Sequence, residues 1–535
     1  MMRTFTFLRT ARRVALTSVA AAVMVVAPLA AQDAKAPMFL GQAAPQSAPQ
    51  GPAAKTLQIS IDDAVTMALE TSLGLKSERL NLDITAQGIA GAQAAFIPNL
   101  SGLFNGNTQQ RQPTDFTQGN ANISSHNLSG QAALDQNLPW YGERYHVSWG
   151  ASRATQAGGI ATFNPQLGST LTFNFTQPLW RNLKVDSNRA GVETSTISRH
   201  EADTNLEQQI VGTTVSVRNA YLNLVAAIQG EEVAKQNMQI AEDSLRNAKA
   251  RVAVGVGAQT DVIQATAQAA SFQDQLIAAT SQIGTMEDQL RRQILDPERP
   301  DYWTVKIEPT TQIVLQERAV DADAIIKNAL ANRLDAALVR QQMQVTDINL
   351  RVNENLNKPQ LDAIAQYSAV GTGGTQFTYG SGFPPVELGR NDRTFGSALG
   401  DAFLGAYPSW TFGVQFGYPL GRSGAETAIA QQQLVKRQQQ LGLHDLEIEI
   451  VREVREAVRQ VQTSYERVQA TQATVTATEQ QLNAKQRQFE VGLSTTFEVQ
   501  QAQRDLANAK LIDLQAKISY NRALISLDAV QKIRQ

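Results

Sequence analysis

In two long stretches of the chain, apolar residues return at spacings of three, four or seven with polar residues between them. The second stretch places them at Val451, Val454, Val458, Val461, Tyr465, Val468, Val475, Leu482 and Phe489. The first repeats this seam at a constant offset, through Val217, Tyr221, Leu224, Ile228, Met238, Leu245 and Val252, with Glu231 occupying one seam position. A period of 3.5 held for so long predicts helices packed as a left-handed coiled coil. At 1.5 Å per residue, about 65 helical residues extend on the order of 100 Å, a dimension no compact domain has. Each stretch is free of proline and reaches a glycine motif, Val254-Gly255-Val256 or Val491-Gly492-Leu493. Shorter helices rich in Ala, Gln and Leu are predicted beyond, from Gln259 to about Leu295 and from Thr495 to about Ile533. Glycine supplies the backbone freedom of a tight reversal, so the helices fold back as hairpins at Gly255 and Gly492.

A second period precedes each long helix. In Leu171–Arg181, Leu171, Phe173 and Phe175 oppose Thr172, Asn174 and Thr176; in Trp410–Arg422, Trp410, Phe412, Val414, Phe416 and Tyr418 oppose Thr411, Gly413, Gln415 and Gly417. This alternation and a length near ~10 residues match strands that cross a bilayer in a barrel, apolar side out. A soluble sandwich strand has the same period. Less regular strands follow Pro98 and Pro359, and the first region adds two candidates, near Leu128–Leu138 and from Arg144, as strand extensions or an extra hairpin. Four or so strands cannot close a barrel and would leave edges bare in lipid, so several chains must pool them.

These periods occur twice because the chain is a duplication. The stretch from Asp62 matches that from Asp321, with Ala68-Leu69 falling on Ala329-Leu330. Each copy runs to a single proline in "IPNL" or "KPQL", then to strands ending in Gln177-Pro178-Leu179 or Tyr418-Pro419-Leu420, then to the long helices. The boundaries read as an export signal at 1–31, a flexible Ala-, Pro- and Gln-rich tail at 32–55, a first repeat at 56–300, a connector at 301–320 and a second repeat at 321–535.

The N-terminal segment has a basic start (Arg3, Arg9, Arg12, Arg13), an apolar core from Val14 to about Pro28 and small residues after it, as a secretory signal does. The core is short for a retained membrane anchor. There is no cysteine, which removes disulfides, thiol chemistry and a lipidated N-terminal cysteine. Net charge is −2 over 535 residues, so a basic footprint for nucleic acid is missing. The four histidines, His126, His146, His200 and His444, have no neighbouring residues at ligand spacing, and no catalytic, metal or cofactor site is expected. "GTGG" at Gly371 and "GVG" at Gly255 lack what a phosphate loop needs; Gly371–Tyr407, with Pro384-Pro385, reads as a long surface loop.

The duplicated order of helix, "IPNL" or "KPQL", strands, "QPL" or "YPL", long helix, "VGV" or "VGL" turn and helix resembles the TolC-like outer-membrane efflux protein family, over nearly all of the chain after the signal. The resemblance implies an α+β membrane protein: a trimeric outer-membrane β-barrel, about four strands per protomer, continued by a long α-helical coiled-coil barrel. As partners it implies two further copies of the chain, a periplasmic adaptor, an inner-membrane transporter and outer-membrane lipid. By the match, Val254, Gly255, Val256, Val491, Gly492 and Leu493 would receive the adaptor. The periplasmic gate would involve Asp261, Phe489, Ser494, Glu498 and Gln501. Glu498 falls on an acid that rings the entrance in the best-known member, and Gln501 replaces the second. Asp261 matches the acceptor of its closing hydrogen bond, whereas Phe489 and Ser494 stand where a tyrosine and an arginine would complete it. The expected function is small-molecule efflux through a passive conduit in a tripartite system; a channel for type I protein secretion and a pore-less periplasmic coiled-coil scaffold are the alternatives.

Overall fold

The computed structural model describes residues 56–113, 122–158, 160–311, 315, 317–382, 385–421 and 423–531. The expected signal and tail lie outside them, as do Pro384, Arg422 and Ile533. The first repeat opens with β1 (Thr56–Ile59), α1 (Ile61–Thr71) and α2 (Leu73–Gln93), passes through β2 (Asn99–Arg111), β3 (Ile123–Asn137), β4 (Arg144–Ala157) and β5 (Phe163–Pro178), and ends in α3 (Ser187–Ala253) and α4 (Gln259–Ile294). After β6 (Lys306–Pro309) the second repeat follows as α5 (Ala322–Asn332), α6 (Leu334–Leu356), β7 (Gln360–Tyr379), β8 (Glu387–Arg393), α7 (Phe395–Leu404), β9 (Pro408–Gly417), α8 (Gly424–Glu490) and α9 (Thr496–Gln531).

The helical halves of the two repeats agree to the residue. Both α3 and α8 have 67 residues, and both α4 and α9 have 36. Each long helix starts at a side-chain cap that accepts from early backbone N–H groups, Asp186 for α3 and Ser423 for α8. The predicted seams are buried: Val217, Tyr221 and Leu224 lie in one core, and Val454, Val458, Val461 and Val468 in its counterpart. Glu231, the polar seam position, is kept by its partners: Lys235 Nζ lies 2.7 Å from it and Thr280 Oγ1 donates to it at 3.0 Å. These contacts hold its carboxyl below its ordinary range, the Lys235 hydrogen bond contributing most.

The connector contributes more than linkage. Its β6 pairs in parallel with β1, and Tyr221 stitches the pair to α3: its hydroxyl donates to the Ile59 carbonyl at 3.0 Å and accepts from the Thr311 amide at 2.9 Å. Buried Arg291 at the end of α4 donates to the Val305 carbonyl at 2.8 Å, while Glu287 accepts both from Arg291 and from the Ile307 amide.

The strand halves differ, and they correct two expectations. Among the described residues one sheet holds seven strands, in the order β2-β3-β4-β5-β7-β8, with β9 also on β7. The count exceeds the four expected because the two extra candidates form a hairpin, β3–β4, inserted between β2 and β5, and because the short β8 pairs with the end of β7. The segment Gly371–Tyr407 is not a loop: it holds the end of β7, then β8 and α7. Its glycines serve close packing, since a Cβ on Gly371 would lie 1.8 Å from the Ala398 carbonyl oxygen of α7.

Alternation holds across the sheet. One cross-strand row reads Leu100, Leu134, Val147, Phe173, Tyr367, Trp410; the row beside it, on the opposite face, reads Asn99, Asp135, His146, Asn174, Gln366, Thr411. The first face carries exposed Leu100, Phe104, Trp410, Phe412, Val414 and Phe416. α7 lies over part of it, Phe403 standing 6.4 Å from Trp149. Among the described residues no helix is long and apolar enough to cross a membrane.

Candidate functional site at the helical tip

The two hairpins end in turns of identical construction. The chain leaves α3 with the Val256 amide donating to the Arg251 carbonyl and the Gly255 amide to the Val252 carbonyl, both at 3.0 Å. Leu493 and Gly492 repeat this against Gln488 and Phe489, at 2.7 and 3.1 Å. This pair of bonds is the Schellman motif, which needs a left-handed residue after the cap. Gly255 and Gly492 supply it with φ of +78° and +79°. Nothing lies within 4 Å of a Cβ at either glycine, so backbone conformation, not space, requires them.

The flanking residues are apolar and project outward. Val254 is 73% exposed, Val256 68%, Val491 70% and Leu493 79%. The turn geometry needs only the glycines, so the apolar side chains have no structural work within the protomer. Two pairs of apolar side chains on neighbouring tips form a surface suited to burial by another protein.

The other predicted residues divide. Asp261, in the first turn of α4, and Phe489, in the last turn of α8, line the same cleft of about 500 Å³ with Arg251, Gln500 and Gln503. Arg251 places its guanidinium over the Phe489 ring, 4.5 Å from the centroid. This cation–π contact joins the two hairpins where a phenylalanine has no hydroxyl to offer. Ser494 and Glu498 come together elsewhere: the Ser494 hydroxyl donates to Glu498 Oε2 at 2.6 Å, and Lys485 Nζ lies 2.9 Å from the same oxygen. The Ser494 hydrogen bond, followed by Lys485, holds the Glu498 carboxyl below its ordinary range. Gln501 lies in a third group, donating to Asp505 at 2.8 Å and accepting from Arg504 at 2.8 Å.

The hairpins are tied further from the tip as well. Gln503 donates to Ser244 at 2.9 Å and Arg504 to Gln268 at 2.8 Å, above a cluster of Ala241, Ala269, Phe272 and Ala507. Sequence reasoning missed Arg251, Lys485 and Arg504, whose partners lie on other helices. Two of the histidines meet partners on the neighbouring strand: His146 Nδ1 is 2.6 Å from Asp135, and His126 Nδ1 is 2.9 Å from Thr108. Among the described residues no three metal-ligating side chains cluster.

A comparison with curated protein sequences finds no match. Solved structures share the fold. The CusC channel aligns with a TM-score of 0.62 at 13% identity, covering 92% of this chain and 97% of its own. The Campylobacter jejuni CmeC outer membrane channel gives 0.61 at 14%, covering 92% and 94%. The outer membrane protein VceC of Vibrio cholerae gives 0.61 at 16%, covering 89% and 97%. The model of the family described as outer membrane efflux protein matches residues 64–294 and 325–530, one match in each repeat. With its duplicated hairpins, shared tips and alternating sheet, the chain belongs to the outer membrane efflux protein family.

Proposed function

We propose that three copies of this chain form the outer-membrane conduit of a tripartite efflux system, exporting small molecules with energy supplied by an inner-membrane transporter. The observation that carries this reading is the direct continuation of a sheet with one exposed apolar face into two 67-residue helices. A sheet of that kind suits lipid on one side and water on the other. The helices reach about 100 Å beyond it, enough to bridge much of a periplasm. The polar row of Asn99, Asp135, His146, Asn174, Gln366 and Thr411 faces the lumen, and Val254, Val256, Val491 and Leu493 meet the periplasmic adaptor.

Asp261, Phe489, Ser494, Glu498 and Gln501 lie in the region that closes the conduit. Glu498 is a weak attractor for cations because Lys485 already neutralises it. Arg251 over Phe489 takes the place of a hydroxyl-mediated latch. The reading is tested in cells lacking the chain: they should accumulate an exported dye, and the restored protein should stay with outer membranes through an alkaline wash. Release by the wash, without detergent, overturns it in favour of a periplasmic scaffold.

A further inference from the structure

The inserted hairpin changes the size of the barrel. β3 and β4 have 15 and 14 residues, more than the ~10 a tilted strand needs to cross a bilayer. β3 pairs with β2 along all of β2, and β4 with β5 from Arg144 to Ala154. Their joining turn reaches the helical end of the sheet and is fastened there. Arg189, in the first turn of α3, donates to the Trp140 carbonyl at 2.6 Å and to the Asn182 carbonyl at 2.8 Å, and Gly142 packs so close that a Cβ would lie 2.5 Å from that same Asn182 oxygen. The hairpin therefore runs the full height of the wall. It also obeys the two faces, with Val147 in the apolar row and Ser148 between Ala133 and Thr172 on the polar side. β2, β3, β4, β5, β7 and β9 are six crossing strands, running alternately up and down. The outer two, β2 and β9, are exposed along their lengths and, among the described residues, have one free edge each.

We infer that β2 of one copy pairs with β9 of the next and that three copies close an eighteen-stranded barrel, an inference that rests on the trimeric reading above. With strands about 4.8 Å apart and tilted about 40°, eighteen strands enclose a backbone cylinder about 36 Å wide, against about 24 Å for twelve. The helical part gains nothing from the insertion: each copy still brings α3, α4, α8 and α9, twelve helices in three copies. The outer-membrane section is then wider than the tunnel feeding it, and the helical tunnel alone sets the upper size of the cargo.

The test uses the absence of native cysteine. Single cysteines at Val147→Cys and Ser148→Cys report on the hairpin, and Phe412→Cys and Thr411→Cys on β9. Each full-length variant is labelled with an environment-sensitive fluorophore in liposomes containing brominated lipid, and native mass spectrometry counts the copies. The inference expects three copies, strong lipid quenching at 147 and 412, and quenching by aqueous iodide at 148 and 411, at least fivefold apart within each pair. Alternation at 411 and 412 with both 147 and 148 open to iodide leaves the conduit standing and overturns the eighteen-stranded wall. So does a stoichiometry of two, which closes twelve strands. Loss of alternation at 411 and 412 overturns the conduit itself and the inference with it.

Discussion

The helical and the strand halves of this duplicated chain have diverged to different degrees. The long helices keep identical lengths and a constant offset between copies, and even their turns have the same backbone angles. The strand regions share little: four strands precede α3, whereas two long strands, a short one and a helix precede α8. Physical constraint explains the contrast. Two hairpins that end at one tip must have equal length, because a missing heptad displaces a tip by about 10 Å. A sheet accepts insertion if the strands arrive in pairs, since a hairpin preserves both the direction of its neighbours and their hydrogen bonding.

The contrast breaks most completely if hairpin length is altered. Removing one heptad from each arm of α3–α4 should abolish export in a dye-efflux assay while the protein still reaches the outer membrane. Removing the matching heptads from α8–α9 as well should restore tip alignment and part of the export. Full activity of the single-hairpin deletion would mean that tip alignment is not needed.

A smaller effect separates the cores of the two repeats. Tyr221 fills a fully buried position and satisfies two backbone groups, whereas Val458, its counterpart, only packs. Tyr221→Ala should cost about 4 kcal/mol, the lost packing being joined by an unpaired carbonyl and amide, and Val458→Ala about 2 kcal/mol. Urea midpoints in detergent measure both, and equal losses would remove the asymmetry.

At the tips the expected loss is one of binding. Val491→Asp with Leu493→Asp should weaken adaptor binding about 100-fold, near 2.7 kcal/mol, with thermal stability unchanged. Gly492→Val is a less clean probe, because its φ of +79° strains any β-branched residue before docking is involved. Unaltered adaptor affinity of the double variant would remove the turns from the interface.

The smallest effect concerns Glu231. Its folded pKa lies below its unfolded one, so its contribution is present above about pH 4.5 and lost as pH falls through the lowered value. Glu231→Val, which copies Val468, should change stability at neutral pH by less than about 1 kcal/mol and flatten its fall in acid. An unchanged acid profile would show that Glu231 does not govern it.

Much of this was legible in the residues. The heptad seams, the glycine turns and the duplication are local patterns, and the aromatic strands before each long helix announce themselves by period. The β3–β4 hairpin was only half visible, because "ISSHNLSGQAALDQN" carries few large apolar side chains on its outer face. α7 leaves no helical signal in the sequence, because a ten-residue segment with two glycines gives too few turns to establish a helical period. β1 and β6 escaped because four-residue strands that pair across 250 positions leave no local signal. At the tip, Glu498 was identified but not its neutralising partner, since Lys485 lies across the turn on another helix.

The most direct measurement is the current through the purified protein in a planar lipid bilayer, with its mass determined in the same detergent. The account predicts a trimer that inserts and conducts ions in discrete steps. A monomer that stays in the aqueous phase and leaves the bilayer silent would contradict it.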